Sequence, residues 1–574
     1  MKQALARLRA LAGNTQLRWL AWGLALHLPI TCGDHWDWPD VLCLSGEWCV
    51  VIALGAWAGQ RPRASVAVGC TWTLLFVLES VRLAGQLLTG ADPQIYDLAF
   101  LTRHLWVLLL DLWGPARLAA ALVGLVLLIA GLCALASWRL RAVLVHARSL
   151  RLSSVLVVVC LALSLMPGEL GARWVTPALV ANAVDSWRTW RLTQASVAVD
   201  HYAPLMAMEP PAARPDIGLY VVESYGRVLD DEPVLRASWH PLTQELGAEL
   251  ASEGWHVASG WATAPVSGGR SWISDASVML GISIRHQSSW AHIQPKVDAL
   301  THLPGWLKEH GGYQTVVCRP KDRARLGIEL RNDFDWQHTV FAADIPYDGP
   351  AVGWGEIPDQ FSLGHLHTAV LPELEGPRFL FFHGVSAHAP WDTPPPLVDR
   401  WQDVGPAVQA ALGEDEEPEA DEPESAKRAL KVQARRYAPK TGKRFKLPAR
   451  LFPEKRRAYM NVVDYSLRAT LGAMALLPDT PRGRLVVIYG DHQPPILPPT
   501  GAYDVPVHVL ATDPRWLEPF REAGFVDGLA PESEAEAMPL QALFPTVAAA
   551  VMGRELPEVP RGVSLTDLLE PTQP

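Results

Sequence analysis

The chain has 574 residues, enough for several domains. Its 50 Lys and Arg against 60 Asp and Glu give a formal charge of −10, and the basic residues do not gather with aromatics in any motif, so no nucleic-acid-binding signature is present. Of the seven cysteines only Cys318 lies in the C-terminal part, which therefore has no internal disulfide and must be held by its core.

The first 170 residues are strongly apolar and interrupted by short polar loops. Five segments are expected to span a bilayer: 18–33, 41–59, 65–88, 116–137 and 152–168. A further apolar piece at 105–113, broken by Asp111, is either interfacial or an extension of the fourth span. Lys2, Arg7, Arg9 and Arg18 mark the N-terminus, Arg61 and Arg63 the loop after span two, and Arg139, Arg141, Arg148 and Arg151 the loop after span four. The opposite loops carry Asp34, Asp37, Asp40, Asp92 and Asp97. The positive-inside rule puts the basic loops in the cytoplasm, so five spans leave everything after about residue 170 outside. A cleaved signal peptide fits poorly, because further apolar spans follow the first. Glu47 falls inside span two, and Glu79 and Arg82 inside span three. Ionisable groups in a membrane are costly. They are read here either as a Glu79–Arg82 pair one turn apart or as a lipid-handling site.

Residues 171–213 form a linker. Trp174, Leu179, Val180, Val184, Trp187 and Trp190 alternate there with Arg173, Arg188 and Arg191, the pattern of an amphipathic helix on a membrane surface or of a helix packed on the following domain. Pro210, Pro211 and Pro215 end it. From 214 to 574 strands alternate with helices: strands at 217–222, 314–318, 378–382 and 485–489, helices at 233–253, 272–280, 301–311 and 459–477. That order predicts a mostly parallel sheet covered on both faces. The acidic run EDEEPEADEPE and the basic stretch after it predict a solvated insertion at about 403–450.

Three segments carry the chemistry. The first strand ends at Glu223, and the last ends at Gly490 with Asp491 and His492 following. The ends of parallel strands are where open α/β sheets place ligands. Between them, GGRSWISD opens a helix at Ser271, with Arg270 beside it. A helix N-terminus suits an anionic phosphate. Glu223, Ser271, Asp491 and His492 would together offer an O,O,O,N set for one divalent ion, manganese or zinc rather than calcium because of the imidazole. Taken singly, Ser271 is as well explained as a helix cap and Glu223 as a surface acid.

These residues resemble the lipoteichoic acid synthase-like and sulfatase-like membrane branch of the metal-dependent alkaline phosphatase superfamily. The likeness covers nearly the whole chain: about five membrane helices, then an extracytoplasmic α/β alkaline phosphatase-like domain. It implies that Glu223 in LYVVES is a metal ligand, Ser271 the nucleophile and a ligand, and Asp491 and His492 the remaining ligands. It implies that His388 in SAHAPW acts on the substrate side and that Trp354 in VGWGEIPDQF lies at the pocket. Arg319 and Lys321 in CRPKDR are the candidates for the family's phosphate-side arginine, with Arg270 a further substrate contact. The implied activity is transfer of a phosphoglycerol or phosphoethanolamine head group, through a phosphoserine, from a membrane phospholipid to a glycan or lipid acceptor. The implied setting is a bacterial inner membrane with the catalytic domain in the periplasm. Two departures stand out. The nucleophile of the polyglycerolphosphate synthases is usually Thr, and Ser271 lacks the C/S-x-P-x-R context from which sulfatases make formylglycine. The single outer cysteine also disfavours the disulfide-rich lipid A phosphoethanolamine transferases. A tethered phosphodiesterase or phosphatase, and a degenerate non-enzymatic member, are the competing readings.

Overall fold

A computed structural model describes residues 62–89, 94–146, 176–195, 199–412 and 453–564, apart from breaks at 212, 325–329, 390, 392, 479 and 497–502. The chain divides into two compact units, one helical and one built on a sheet. The expected spans at 18–33, 41–59 and 152–168 lie outside the described residues.

In the helical unit, α1 (Pro62–Thr89) covers the third expected span and α2 (Ile95–His146) the fourth. The 105–113 piece is helical and continuous with the fourth span, but Gly114 (φ 71°, ψ 164°) and Pro115 break the helix between them. Pro115 has no N–H to donate and Gly114 tolerates the positive φ, so the chain bends here. Among the described residues one helix, Trp113–Trp138, is long and apolar enough to cross a membrane. Glu79 and Arg82 form the bidentate pair that their spacing allows, at 2.7 and 2.8 Å. The linker helix α3 runs from Thr176 to Ala195, with Val180, Val184, Trp187 and Trp190 exposed.

The second unit is organised by one large sheet. Its strands are β1 (Asp216–Val222), β2 (His256–Thr263), β4 (Gln314–Arg319), β5 (His338–Phe341), β6 (Arg378–His383), β7 (Arg484–Gly490), β8 (Asp504–Ala511), β9 (Val526–Asp527) and β10 (Met538–Pro539). The order is β10-β2-β8-β7-β1-β6-β4-β5, with β9 on β2. The strands β7, β1, β6, β4 and β5 are mutually parallel, and β8 runs antiparallel to both neighbours. A separate two-stranded piece pairs β3 (Ile282–Ser283) with β11 (Val563–Ser564). The alternation of β1 divides its side chains between two cores. Leu219 and Val221 pack on one face, Tyr220 and Val222 on the other.

Helices α4 (Pro233–Ser252), α5 (Ser271–Leu280), α6 (Pro453–Gly472) and α7 (Leu543–Met552) cover the faces. The expected insertion starts later than residue 403. Val404–Leu412 is a helix whose Val404 and Val408 are buried in the core, so that apolar pair anchors it before the charged run. Residues 413–452 lie outside the described residues.

Candidate active site

Register explains why two distant acids meet. In the parallel pair β1–β7, Val222 lies opposite Gly490, so Glu223 and Asp491 are the next residues on adjacent strands. On the other side of β1, Val221 lies opposite His383, the last residue of β6. Three strand ends therefore deliver Glu223, Asp491 and His383 to one place. Gly490 is required there: a Cβ on it would sit 1.8 Å from the Tyr225 carbonyl oxygen.

The backbone at this edge is strained. Ser224 takes φ 59° and Arg270 φ 68°, the left-handed region that side chains disfavour. Each such residue costs on the order of 1–3 kcal/mol and persists where surrounding contacts fix it. At Ser224 the contacts are visible: its N–H donates to Asp491 Oδ1 at 2.8 Å, and its carbonyl accepts from the Tyr459 hydroxyl at 2.7 Å. At the GGRS turn, Gly268, Gly269 and Arg270 all have positive φ, and the Gly268 N–H donates to the Gln493 carbonyl at 2.8 Å. That bond ties the turn opening α5 to the segment just after His492.

The turn sets Ser271 over Glu223. Its hydroxyl lies 3.2 and 3.3 Å from the two carboxylate oxygens and is buried. His492 Nε2 is 3.2 Å from Glu223 Oε1 and 3.4 Å from Asp491 Oδ2. Glu223, Asp491 and His492 thus bring one ligand atom each within 4.8 Å of one another, a group that could hold a metal ion.

The way each side chain is tied supports the fit. Asp491 Oδ1 accepts from the Ser224 and His492 amides at 2.8 and 3.0 Å. Its Oδ2 is buried and has no hydrogen-bond partner among the described residues. His492 Nδ1 faces the Gln493 carbonyl at 3.1 Å, and a carbonyl only accepts, so Nδ1 carries the proton. Its Nε2 points inward, between Glu223 Oε1 and Asp491 Oδ2, and meets no partner in hydrogen-bonding geometry among the described residues. Buried polar atoms are rarely left so. Two orphaned donor atoms aimed at one point, beside a carboxylate and a hydroxyl, are what a divalent cation's ligands look like.

Lys321 is the one ammonium in the cluster. Its Nζ lies 2.9 Å from Glu223 Oε2. Burial works against the charged form of Glu223, but Lys321, with His383 and His492, holds its carboxyl well below the usual range. Burial and the neighbouring Glu223 push Asp491 the other way, upward.

The remaining expected residues are distributed around this centre. His388 is partly buried, and burial holds its imidazole below the ordinary histidine range. Trp354 stacks on it, ring centres 5.0 Å apart and 16° from parallel, and is 42% exposed. Arg319 lies 3.9 Å from Asp322 and over the Phe381 ring. Arg270 donates to the Arg285 carbonyl at 3.4 Å. Two residues of the centre went unassigned in the sequence. One is His383, wholly buried at the end of RFLFFH. The other is Asp275, four residues after Ser271 and so on the same helix face. A histidine closing an apolar strand, and an acid at that spacing from the serine, were the available signals.

No protein-family model and no curated protein matches the sequence. Solved structures do. The integral membrane lipooligosaccharide phosphoethanolamine transferase EptA of Neisseria meningitidis matches at 13% identity and TM-score 0.43, over 84% of this chain and 84% of that one. The lipoteichoic acid synthase LtaP of Listeria monocytogenes matches at 14% identity and TM-score 0.36, over 67% of this chain and 81% of its own. The Streptococcus pyogenes phosphoglycerol transferase GacH, solved with sn-glycerol-1-phosphate, matches at 12% identity and TM-score 0.38, over 67% of this chain and 85% of its own. The functional reading rests on the site itself.

Proposed function

We propose that this chain is a membrane-tethered phosphotransferase that moves a phospho-alcohol head group, phosphoglycerol or phosphoethanolamine, from a membrane phospholipid to a glycan or lipid hydroxyl. The observation that carries the reading is Ser271 set against Glu223 beside the inward-facing atoms of Asp491 and His492. Glu223, Ser271, Asp491 and His492 would hold one divalent ion, manganese or zinc. Bound there, the ion favours the alkoxide form of Ser271 and offsets charge on the phosphoryl oxygens.

Ser271 Oγ, which enters and leaves each turnover as the alkoxide, attacks the phosphorus of the donor phosphodiester. A serine–phosphorus bond forms, the bond to the diacylglycerol oxygen breaks, and His388 gives that oxygen a proton. An acceptor alcohol then loses its proton to His388, bonds to phosphorus and releases Ser271. The proton that His388 takes in one turnover is the one it gives in the next, so the cycle balances. The half-exposed Trp354 ring behind His388 would form one wall of the head-group pocket, with Arg270, Arg319 and Lys321 supplying positive charge around it.

The apolar helix supports the setting. Val126 and Leu127 are 64% and 66% exposed within Trp113–Trp138, a face that water would not tolerate over such a length. In a lipid bilayer that exposure is the stable arrangement. With five spans over residues 1–170 and the linker at 171–213, the domain from 214 to 574 stands over the outer, periplasmic leaflet of a bacterial inner membrane, where the donor lies.

The test uses the full-length protein with vesicles of phosphatidylglycerol or phosphatidylethanolamine labelled in the head group. The expected result is an intact-mass increase of one phospho-alcohol on Ser271, diacylglycerol release, and neither with Ser271→Ala. Turnover retained by Ser271→Ala would end the nucleophile assignment. Release of free head-group phosphate, unaffected by added glycan or lipid acceptors, would make the protein a hydrolase.

A further inference from the structure

The proposed ligand set leaves one buried histidine unused. His383 is fully buried at the end of β6. Its Nδ1 lies 3.1 and 3.0 Å from the two oxygens of Asp275, itself buried on α5. A carboxylate only accepts, so Nδ1 carries the proton and the tautomer is fixed. Its Nε2 faces Glu223 Oε2, 3.2 Å away, and Asp491 Oδ2, 3.8 Å away. A nitrogen facing two carboxylate oxygens needs a positive charge between them, either its own second proton or a cation.

Charge points the same way. Among the described residues, Glu223, Asp275 and Asp491 put three carboxylates within one buried cluster, against the single ammonium of Lys321. When the imidazoles are neutral, as metal ligation requires, these described groups sum to two negative charges, which one divalent cation balances. Burying uncompensated ions costs several kcal/mol each, so a matching cation is a strong requirement. A carboxylate that fixes one imidazole nitrogen so that the other can bind metal is a recurrent support of metal sites.

We propose that His383 is a fifth protein ligand of the metal, on the side of Glu223 away from His492, and that Asp275 is its positioning residue. This rests on the metal-site reading above. It gives the ion two imidazoles, which favours zinc over magnesium or calcium.

The decisive measurement is zinc-edge X-ray absorption on the full-length protein loaded with one zinc, which counts imidazoles directly. Two imidazoles are expected in the wild type and one in His383→Gln. Metal competition against a chelator should show Asp275→Asn weakened about 10–100-fold, the range for loss of such a support, and His383→Gln weakened at least as much. One imidazole in the wild type would overturn the assignment of His383 while leaving the metal site standing. No bound zinc at all would overturn both. Because the wild-type count decides, a variant that fails to fold does not rescue the proposal.

Discussion

Gly490 offers a test of whether the strand register is what brings the site together. Two effects of Gly490→Ala oppose each other. Alanine stiffens the unfolded chain, which stabilises by about 0.4–1 kcal/mol wherever the native backbone accepts it. Gly490 is not among the positive-φ glycines, so the backbone itself raises no objection. The neighbours do. The added Cβ would meet Tyr225 O at 1.8 Å, Tyr225 C at 2.8 Å and Tyr225 Cβ at 3.1 Å, and two of those atoms are main chain. Ordinary contacts are roughly 3.5 Å, so the end of β7 and the turn after β1 must part. Overpacking of this kind costs about 1–3 kcal/mol and more when backbone must move. Taking about 3 kcal/mol against a gain of at most about 1, the net loss is at least about 2 kcal/mol. The displaced segments carry Glu223 and Asp491, so metal affinity should fall along with stability. Gly472→Ala is the control: it ends α6 with helical dihedrals (φ −61°, ψ −31°) and nothing within 4 Å of a Cβ. It should stabilise by about 0.5–1 kcal/mol. Denaturant titration with metal analysis of both variants measures these signs. A Gly490→Ala protein as stable as the wild type, with full metal content, would refute the register argument.

Other outcomes follow from the same coordinates. Trp354→Ala removes a half-exposed ring that touches His388 by stacking, so stability should change by less than about 0.5 kcal/mol while KM for the lipid donor rises; an unchanged KM would remove Trp354 from the pocket. Acid should unfold the protein well above the carboxylate range. Burial holds His302 and His367 down to about 4 and His508 down to about 3. These groups are neutral in the fold and take up protons on unfolding, so their stability is present above about pH 6.5 and lost as pH falls toward those values. At pH 5 each costs the fold about 2 kcal/mol, at 1.36 kcal/mol per unit. Denaturant midpoints measured with chelator present between pH 7.5 and 5 should therefore drop steeply, and a flat profile would contradict the burial of these rings.

The parts of the fold that were legible are those where local pattern and tertiary role agree. The runs at 217–222, 378–382 and 485–489 are apolar on both sides because their strands are covered on both faces, so continuous hydrophobicity marked them. The strands β2 and β8 were not assigned, and their sequences show why. HVASGWAT holds Gly260, whose place is fixed by the Phe525 ring 2.4 Å from where a Cβ would sit. DVPVHVLA holds Pro506 and His508, and His508 bonds Tyr225 at 3.0 Å and Ser259 at 2.8 Å across the sheet. Both strands depend on partners far away in sequence, which no window of residues contains. The site followed the same division. Glu223, Ser271 and Asp491–His492 stood out because each sits at the end of a recognisable element. The pairing of His383 with Asp275 spans 108 positions and two elements: the β1–β6 register brings His383 to the centre, and α5 brings Asp275 to it.

The divided roles of the site's atoms explain how a buried cluster this charged is compatible with a stable fold. Asp491 gives one oxygen to two backbone amides, and His492 and His383 each give one nitrogen to a carbonyl or carboxylate. In every case the tied atom is satisfied by the protein, and its partner atom on the same side chain is directed inward. The ties are made by main chain at strand ends and by one residue on the helix that Ser271 opens, so they are set when the sheet and α5 form. The inward atoms are then pre-positioned against one another, a repulsive arrangement that the fold enforces and that a cation would relieve. Preorganisation of this kind stores its cost in the folding of the sheet rather than in the chemical step. The strained φ angles at Ser224 and Arg270 are part of the same account. They are tolerated because each turns the chain at the point where a functional group must leave its element and face the centre.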